Sequence, residues 1–317
     1  MCTAIFYKAG GGFFGRTLDL EYTYNETVTL APRGYPLPFR RRQTLAHHHA
    51  LIGMATVVEG YPLYYDAMNE QGLCMAALHF PASAVYPKPR DGGENVAVFE
   101  LIPYLLGQCA TVEQAAGLLR EIHLCDLPFS ADYRTTPLHW MLADGSQCVV
   151  AESTADGVHL YHNPVGVMTN EPPFPHQLSH LALYANLTAA EPIGRWQTPV
   201  SRGAGAMGLP GDFSSPSRFV RAAFALANAD APADTPARVN QFFHILGAAE
   251  VPRGCVQLPD GRTVVSQYTC CMDPVEGVYY YRTYDNPRVC AVRLAAVETT
   301  ELQCFPLQKV NEVCWQN

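Results

Sequence analysis

The first two residues of the chain place a nucleophile beside a base. Cys2 directly follows Met1, so removal of Met1 would leave a thiol and a free α-amine on adjacent carbons. The pKa of a free α-amine is about 7.7–8.0 and that of a free cysteine thiol about 8.5, both close to neutral pH. An N-terminal amine can act as the base for its own side chain. The sequence therefore predicts a nucleophilic Cys2; the alternative is a small buried apolar residue.

A predicted β-hairpin brings two charged residues back to this N-terminus. Residues 3–7 and 13–20 have the composition of strands, and a glycine triplet at 10–12 separates them. The second strand carries Arg16 and Asp19. A neighbouring cation lowers the pKa of a thiol, and a carboxylate can orient an amine by accepting its hydrogen bond. Arg16 and Asp19 are thus predicted to flank the thiol and the amine; the alternative is an ordinary strand-edge pair.

Six motifs keep a fixed order from residue 1 to about residue 285 of the chain. They are Cys2, Gly15-Arg16-x-x-Asp19-x-Glu21-Tyr22, Met68-Asn69-Glu70-x-Gly72-Leu73, Thr169-Asn170-x-Pro172, Gly208-Leu209-Pro210-Gly211-Asp212-Phe213 and Ser217-Arg218-Phe219. Together they resemble the choloylglycine hydrolase family, which comprises bile salt hydrolases and penicillin V acylases within the N-terminal-nucleophile hydrolases. Ordered matches are far more specific than any one of them alone.

The resemblance implies an α+β fold, a four-layer αββα sandwich of two antiparallel sheets. It also implies a single domain over residues 1–317, with Met1 removed on maturation and no metal or other cofactor. The sequence is compatible with this architecture, because strands, helices, a β-meander, helices and further strands follow one another. The predicted helices cover residues 95–109, 111–122, 179–186, 215–228 and 235–246.

By resemblance, the chemistry is cleavage of an amide. Cys2 would attack the carbonyl carbon and hold the acyl group as a thioester until water releases the acid. Its α-amine would take the thiol proton and pass one to the leaving nitrogen. Asn170 and the residue at position 79 would supply hydrogen bonds to the oxyanion. Arg16, Asp19 and Arg218 complete the predicted catalytic set.

Position 79 departs from the family pattern. Bile salt hydrolases have Asn before Phe-Pro at this point and penicillin V acylases usually have Tyr, whereas this chain reads Leu78-His79-Phe80-Pro81. A neutral imidazole N–H can donate a hydrogen bond, but protonation near pH 6.5 would add charge beside the nucleophile. His79 therefore bears on the substrate class and the pH optimum. The alternative is a histidine hydrogen-bonded within the core.

Arg218 is the predicted site residue for which helix position gives an independent argument. Ser215-Pro216 predicts a helix start, with Pro at the first helical position. Arg218 then lies in the first turn, where the macrodipole disfavours a cation by about 0.3–1 kcal/mol. A cation placed against this preference indicates a nearby carboxylate or the active site.

The apolar part of a substrate needs a pocket. By resemblance, three side chains after the catalytic hairpin and three on a later loop line it, and a further loop reads the amino-acid half of a conjugated bile acid. The predicted substrate-binding residues are Leu18, Tyr22, Tyr24, Leu124, Leu127, Phe129 and Arg202. Taken singly, each apolar member is more typical of a core residue than of a pocket residue. The Ser201-Arg202-Gly203 loop favours taurine conjugates, since Arg can pair with a sulfonate.

Composition excludes some partner classes. The chain has 317 residues with a net charge of −8, which disfavours nucleic acid, because nucleic-acid binding depends on clustered Lys and Arg. The hydrophobic share is 48% and the charged share only 16%, which favours a large core or buried subunit contacts. By resemblance, the partner is a small conjugated bile acid and the assembly is a homotetramer.

The cysteines and apolar runs point to a cytoplasmic location. The eleven cysteines are odd in number and contain no C-x-x-C, and a strand-like run follows Met1 where a secretory leader would stand. Reduced thiols in a cytoplasm are the simplest account. The longest apolar stretch, residues 97–110, is interrupted by Glu100, Pro103 and Gln108, so no membrane-spanning segment is predicted.

Two other motifs are rejected as binding sites. Neighbouring residues of a strand point to opposite faces, so His47-His48-His49 cannot converge on one metal ion and is predicted as a polar edge or loop. Residues 203–208 match G-x-G-x-x-G, but Leu209-Pro210-Gly211 follows, where a dinucleotide site needs a helix.

The predicted function is that of a bile salt hydrolase, which cuts glycine or taurine from conjugated bile acids. Penicillin V acylase is the alternative with the same machinery. Acyl transfer to other amines is a related alternative, because a thioester can be captured by any good nucleophile. A catalytically silent binding protein on the same fold is the alternative outside the enzymes.

Overall fold

Two large antiparallel sheets form the centre of the computed structural model, which describes residues 1–193, 201–294 and 300–316. In chain order the strands are β1 (Cys2–Tyr7), β2 (Phe13–Leu20), β3 (Thr27–Ala31), β4 (Leu51–Val58), β5 (Tyr61–Asn69), β6 (Cys74–His79), β7 (Asn95–Ala97), β8 (His123–Cys125), β9 (Leu138–Ala143), β10 (Cys148–Thr154), β11 (Gly157–His162), β12 (Val167–Met168), β13 (Val265–Asp273), β14 (Val278–Thr283), β15 (Cys290–Arg293) and β16 (Gln303–Pro306). The helices are α1 (Leu101–Gln108), α2 (Val112–Glu121), α3 (Phe174–Leu181), α4 (Ser215–Ala227) and α5 (Thr235–Gly247).

One sheet has six strands in the order β12-β1-β2-β13-β14-β15, and the other has eight in the order β11-β10-β9-β6-β5-β4-β3-β16. Side chains from both sheets share one core cluster, which includes Phe14, Met68 and Tyr268, so the sheets pack face to face. Every residue of β1 is buried, as is typical of a strand covered on both faces.

Helices cover the two outer faces. The first pair, α1 and α2, packs on the eight-stranded sheet around a second core cluster that includes Leu101 and Trp140. On the other side, α4 and α5 pack against β1 and α5 also packs against β13. The predicted four-layer αββα sandwich is confirmed.

Two predicted helix starts are wrong. Residues 95–97 form a short parallel strand with β8, because the Asn95 side chain bonds the Arg90 backbone and holds the segment extended; the helix begins at Leu101. The helix predicted from residue 179 already begins at Phe174. The helix predicted from residue 215 does begin there; its N-cap is Ser214, so Pro216 is the second helical residue rather than the first.

The rejected motifs lie in loops. Residues 47–49 precede β4 without regular structure, and Gly203 begins a single 3₁₀ turn in the left-handed conformation (φ 80°). No group of three metal-ligating side chains occurs in residues 1–193, 201–294 and 300–316. All eleven cysteines lie within these ranges and are free thiols. Among the described helices, none is both long and apolar enough to cross a bilayer.

Candidate active site

The N-terminal hairpin sets the geometry of the candidate site. Cys2 pairs with Leu18 across β1 and β2, and Ala4 pairs with Arg16. The turn between the strands uses the glycine triplet, whose φ angles of 62°, 103° and 93° lie in the left-handed region that glycine tolerates best. The hairpin therefore returns Arg16 and the end of β2 to the N-terminus, as predicted.

Cys2 is buried, with 2% of its surface exposed. Its nitrogen is a peptide nitrogen bonded to Met1; the same atom would become the α-amine once Met1 is removed. This nitrogen donates a hydrogen bond of 2.8 Å to Oδ1 of Asn170. The Met1 backbone is held by β2, since its carbonyl accepts from the Asp19 nitrogen at 3.0 Å.

Arg16 crosses from one sheet to the other. Its Nη1 donates to the Ala77 carbonyl of β6 at 2.8 Å, whereas the buried Nη2 has no partner among the described residues. Burial alone would lower the pKa of Arg16, but the nearby Cys2 thiol, the Tyr268 phenol and the Asp66 carboxylate raise it above its usual value. The site thus holds a permanent buried cation with one free donor near the Cys2 thiol.

Asp19 is fully buried and is held in place by hydroxyl groups. Ser266 Oγ donates to its Oδ1 at 2.6 Å, and Thr17 Oγ1 donates to its Oδ2 at 3.2 Å. The same Oδ2 lies 3.9 Å from Arg218 Nη1. The Asp19 carboxylate is therefore held at the end of the hairpin where the N-terminus lies.

Arg218 joins α4 to the N-terminal strand. Its Nη1 donates to the Cys2 carbonyl and, at 2.6 Å, to Thr3 Oγ1, and its Nη2 donates to Asn170 Oδ1 at 2.7 Å. Burial lowers the pKa of Arg218, and the Asp19 carboxylate offsets part of this effect. The prediction that a cation in the first turns of α4 has a partner nearby is met by these contacts.

Asn170 and His79 meet at the mouth of the site. Asn170 Nδ2 donates to the His79 carbonyl at 2.7 Å, and the Asn170 nitrogen donates to Ser215 Oγ at 2.8 Å. The exposed His79 ring ends β6. Partial burial and the neighbouring N-terminal ammonium lower the pKa of His79, and the Glu171 carboxylate offsets this only in part. At neutral pH the imidazole is therefore uncharged.

Several supporting side chains were not predicted from the sequence. Ser266 orients Asp19, Thr3 receives Arg218, and Ser215 fixes the backbone of Asn170. Glu171 accepts from the Ala82 and Ser83 nitrogens and so fixes the loop after His79. Single serine, threonine and glutamate residues carry no spacing signal, so nothing in the sequence distinguishes them from surface residues.

The residues predicted to bind substrate after the hairpin fall into two groups. Leu18 is buried in the core between the sheets, directly opposite Cys2. Tyr22 and Tyr24 are exposed; their hydroxyls lie 2.7 Å apart. Burial of part of its ring, the hydrogen bond with Tyr22 and the nearby Tyr133 hydroxyl raise the pKa of Tyr24 well above its usual value.

The later predicted residues are more scattered. Phe129 and Leu127 are half-buried, and the Phe129 ring packs on Tyr61 and Tyr133, whose centroids lie 5.7 and 6.2 Å away. Since Tyr133 also neighbours Tyr24, this loop lies near the tyrosine pair. Leu124 is instead buried in the core beneath α2, so its assignment to the substrate pocket remains a prediction, as does that of the exposed Arg202.

Comparisons with known proteins identify the family of the chain. Residues 2–305 match the model for "Linear amide C-N hydrolases, choloylglycine hydrolase family". A bile salt hydrolase/transferase from Lactiplantibacillus plantarum is 46% identical over 97% of both chains.

Two solved structures share the fold. A mutant conjugated bile acid hydrolase from Clostridium perfringens superposes with a TM-score of 0.91 at 30% identity over 100% of both chains. A penicillin V acylase from Agrobacterium tumefaciens gives 0.78 at 21% identity, over 96% of this chain and 91% of the other. With the family model matched over nearly the whole sequence, the chain belongs to the choloylglycine hydrolase family of linear amide C–N hydrolases.

Proposed function

We propose that this protein hydrolyses the amide bond of glycine- or taurine-conjugated bile acids through a thioester on Cys2. The observation that carries the proposal is the Cys2 nitrogen, 2.8 Å from Asn170 Oδ1, beside a buried Arg218 that binds the Cys2 carbonyl and lies 3.9 Å from the Asp19 carboxylate. The extent of identity to the Lactiplantibacillus plantarum bile salt hydrolase/transferase supports this choice of substrate. We also propose that residues 1–317 act as one domain after loss of Met1.

The reaction begins with transfer of the Cys2 thiol proton to its own α-amine. The thiolate attacks the amide carbonyl carbon, and the buried Arg16 guanidinium stabilises the negative charge on sulfur. Asp19 orients the amine. When the tetrahedral intermediate collapses, the ammonium returns a proton to the leaving nitrogen of glycine or taurine, and the acyl group stays on sulfur. Water then attacks the thioester and regenerates Cys2.

The oxyanion needs donors that are already in place. Asn170 Nδ2 has two hydrogens, of which the His79 carbonyl takes one, so the second remains for the substrate. The neutral His79 ring at the mouth supplies another N–H. Arg218 acts on this arrangement by holding the Asn170 amide oxygen.

Acyl transfer is a second candidate activity. A thioester can be captured by an amine instead of water, and the 46% identical relative carries both activities in its name. Penicillin V acylase activity has weaker support, because the penicillin V acylase structure is only 21% identical and shares the fold alone. A silent binding protein is disfavoured by the intact set of charged residues around Cys2.

The free thiols and the exposed apolar side chains bear on the cellular location and the assembly of the protein. We propose a cytoplasmic protein, because its eleven free cysteines suit a reducing compartment.

We also propose a homotetramer. Large apolar side chains are exposed outside the site, among them Leu183, Met207 and Trp315 at 76%, 77% and 80%, and subunit contacts would cover such groups. Size-exclusion chromatography with light scattering tests the assembly.

A substrate panel on the purified protein tests the proposed function. Taurocholate, glycocholate and penicillin V are supplied separately, and the released amine or acid is quantified for the wild type and for Cys2→Ser. We expect turnover of at least one bile salt, little turnover of penicillin V, and loss of activity in the variant with its fold intact. Preference for penicillin V, or full activity of Cys2→Ser, would contradict the proposal.

A further inference from the structure

A buried histidine lies behind the two proposed oxyanion donors. His139 of β9 is 1% exposed. Its Nε2 lies 2.8 Å from the carbonyl oxygen of Thr169, the residue before Asn170. Its ring stacks on Phe80, the residue after His79, with centroids 4.2 Å apart and planes inclined by 6°. The His139 side chain therefore contacts a residue adjacent to each of the two proposed donors, Asn170 and His79.

Glu152 holds the opposite nitrogen of this ring. His139 Nδ1 lies 3.1 Å from Glu152 Oε1, and the Glu152 side chain is fully buried. The same oxygen accepts from the Phe174 nitrogen at 3.0 Å, at the first residue of α3. Both ring nitrogens thus face oxygens that accept hydrogen bonds.

Burying these polar side chains costs free energy unless each polar atom has a hydrogen-bond partner. A buried polar pair gives little net stability compared with apolar side chains of the same size, because both partners lose their hydration. The carboxylate also leaves Glu152 Oε2 without a partner among the described residues. The pair must therefore do something that apolar packing would not. Hydrogen bonds fix direction, and here they fix the Thr169 carbonyl and the start of α3 on either side of Asn170.

We propose that His139 and Glu152 form a positioning pair that orients Asn170 and His79 for the oxyanion. The inference rests on the proposed function, in which those two residues supply the oxyanion donors. His139 clamps the Thr169–Asn170 peptide and supports residues 79–80 by stacking, while Glu152 fixes the ring and the segment after Asn170. A catalytic group displaced by about 1 Å can cost on the order of 10²-fold in rate.

The test variant is His139→Phe, which keeps a ring against Phe80 and removes both hydrogen bonds. We expect kcat on the preferred bile salt to fall at least about ten-fold, with KM within about two-fold, because the loss is in transition-state alignment. Alkylation of Cys2 by iodoacetamide, followed by peptide mapping, should stay within about two-fold of wild type, since this reaction needs no oxyanion donor. The matched control is His159→Gln. His159 lies on β11, at the edge of the same sheet, and pairs with exposed Asp156; loss of this pair should leave kcat unchanged.

The outcomes are distinguishable. A wild type without bile-salt turnover refutes the proposed function, whereas an active wild type with a smaller loss in His139→Phe refutes only the positioning pair. Parallel loss of kcat and of Cys2 alkylation would also overturn it, because that indicates general distortion. If His139→Phe does not fold, Glu152→Gln decides by the same readouts: the amide keeps an acceptor for Phe174 but removes the charge, and we expect kcat to fall at least about five-fold.

Discussion

Arg218 and Asn170 meet directly above the N-terminal strand: Arg218 Nη2 donates to Asn170 Oδ1 at 2.7 Å, and the same oxygen accepts from the Cys2 nitrogen at 2.8 Å. One amide thus links a helix of the outer layer to the candidate nucleophile. The guanidinium also binds the Cys2 carbonyl and Thr3, so a single side chain sets the position of the first residues of β1.

Replacing Arg218 by Lys tests this link. A lysine ammonium cannot reproduce donors directed at the Cys2 carbonyl, Thr3 and Asn170 together, so we expect kcat to fall about 10²-fold in Arg218→Lys. The control is Arg221→Lys on the same helix, whose guanidinium binds the backbone carbonyls of residues 210, 212 and 248. Steady-state kinetics on a conjugated bile salt measure both. Equal losses in the two variants would show that the effect is one of helix packing.

Arg16→Gln tests the electrostatic support of the thiol. Without this buried cation the Cys2 thiolate loses a stabilising positive charge, and we expect Cys2 alkylation by iodoacetamide at pH 7 to slow about ten-fold. Cys255 is exposed and serves as an internal control in the same peptide map. An unchanged ratio of the two alkylation rates would refute the role. The variant should also unfold more easily, because the buried Asp66 carboxylate loses a cation that stabilises its charge.

His79→Asn restores the residue that bile salt hydrolases carry at this point. An asparagine N–H can replace the neutral imidazole N–H, so we expect turnover of bile salts to be kept or raised at pH 7. Below the lowered pKa of His79 the wild type gains a charge at the mouth of the site and the variant does not, so the two pH–rate profiles should diverge at acidic pH. Complete loss of activity in His79→Asn would mean that the imidazole has a role other than donation.

The lowered pKa of His79 also has a consequence for stability. The unfolded chain binds this proton near the ordinary value of 6.5, whereas the folded protein binds it only at lower pH. Since the unfolded state then holds more protons, acidification through this range favours unfolding. We expect the Tm of the wild type to fall more than the Tm of His79→Asn as the pH is lowered from 7 to 5. A difference that does not change with pH would contradict the direction of the shift.

Local patterns predicted the hairpin and the charged residues on it. The bounds of β2 match the predicted second strand. The glycine triplet permits the turn between the strands, so β2 starts directly after it. The ordered motifs identified Cys2, Asp19, Asn170 and Arg218, which lie within one network of contacts, and Arg16, whose charge interacts with the Cys2 thiol. Their catalytic roles remain proposals.

What escaped prediction depends on long-range pairing. Strand β16 joins the edge of the eight-stranded sheet beside β3, although more than 270 residues separate Gln303 from its partner Leu30. Residues 95–97 look helical by composition but pair with β8. The roles of His139 and Glu152 likewise arise only when β9, β10 and the segment around Thr169 come together, and neither residue belongs to a recognisable motif.

Intact-mass spectrometry during turnover tests the central claim most directly. Wild-type protein is mixed with the preferred bile salt, quenched in acid and compared with Cys2→Ala. The account predicts that active protein lacks Met1 and carries a transient cholyl group, mapped to residue 2 and absent from the variant. Active protein that retains Met1, or an acyl group on any other residue, would contradict it.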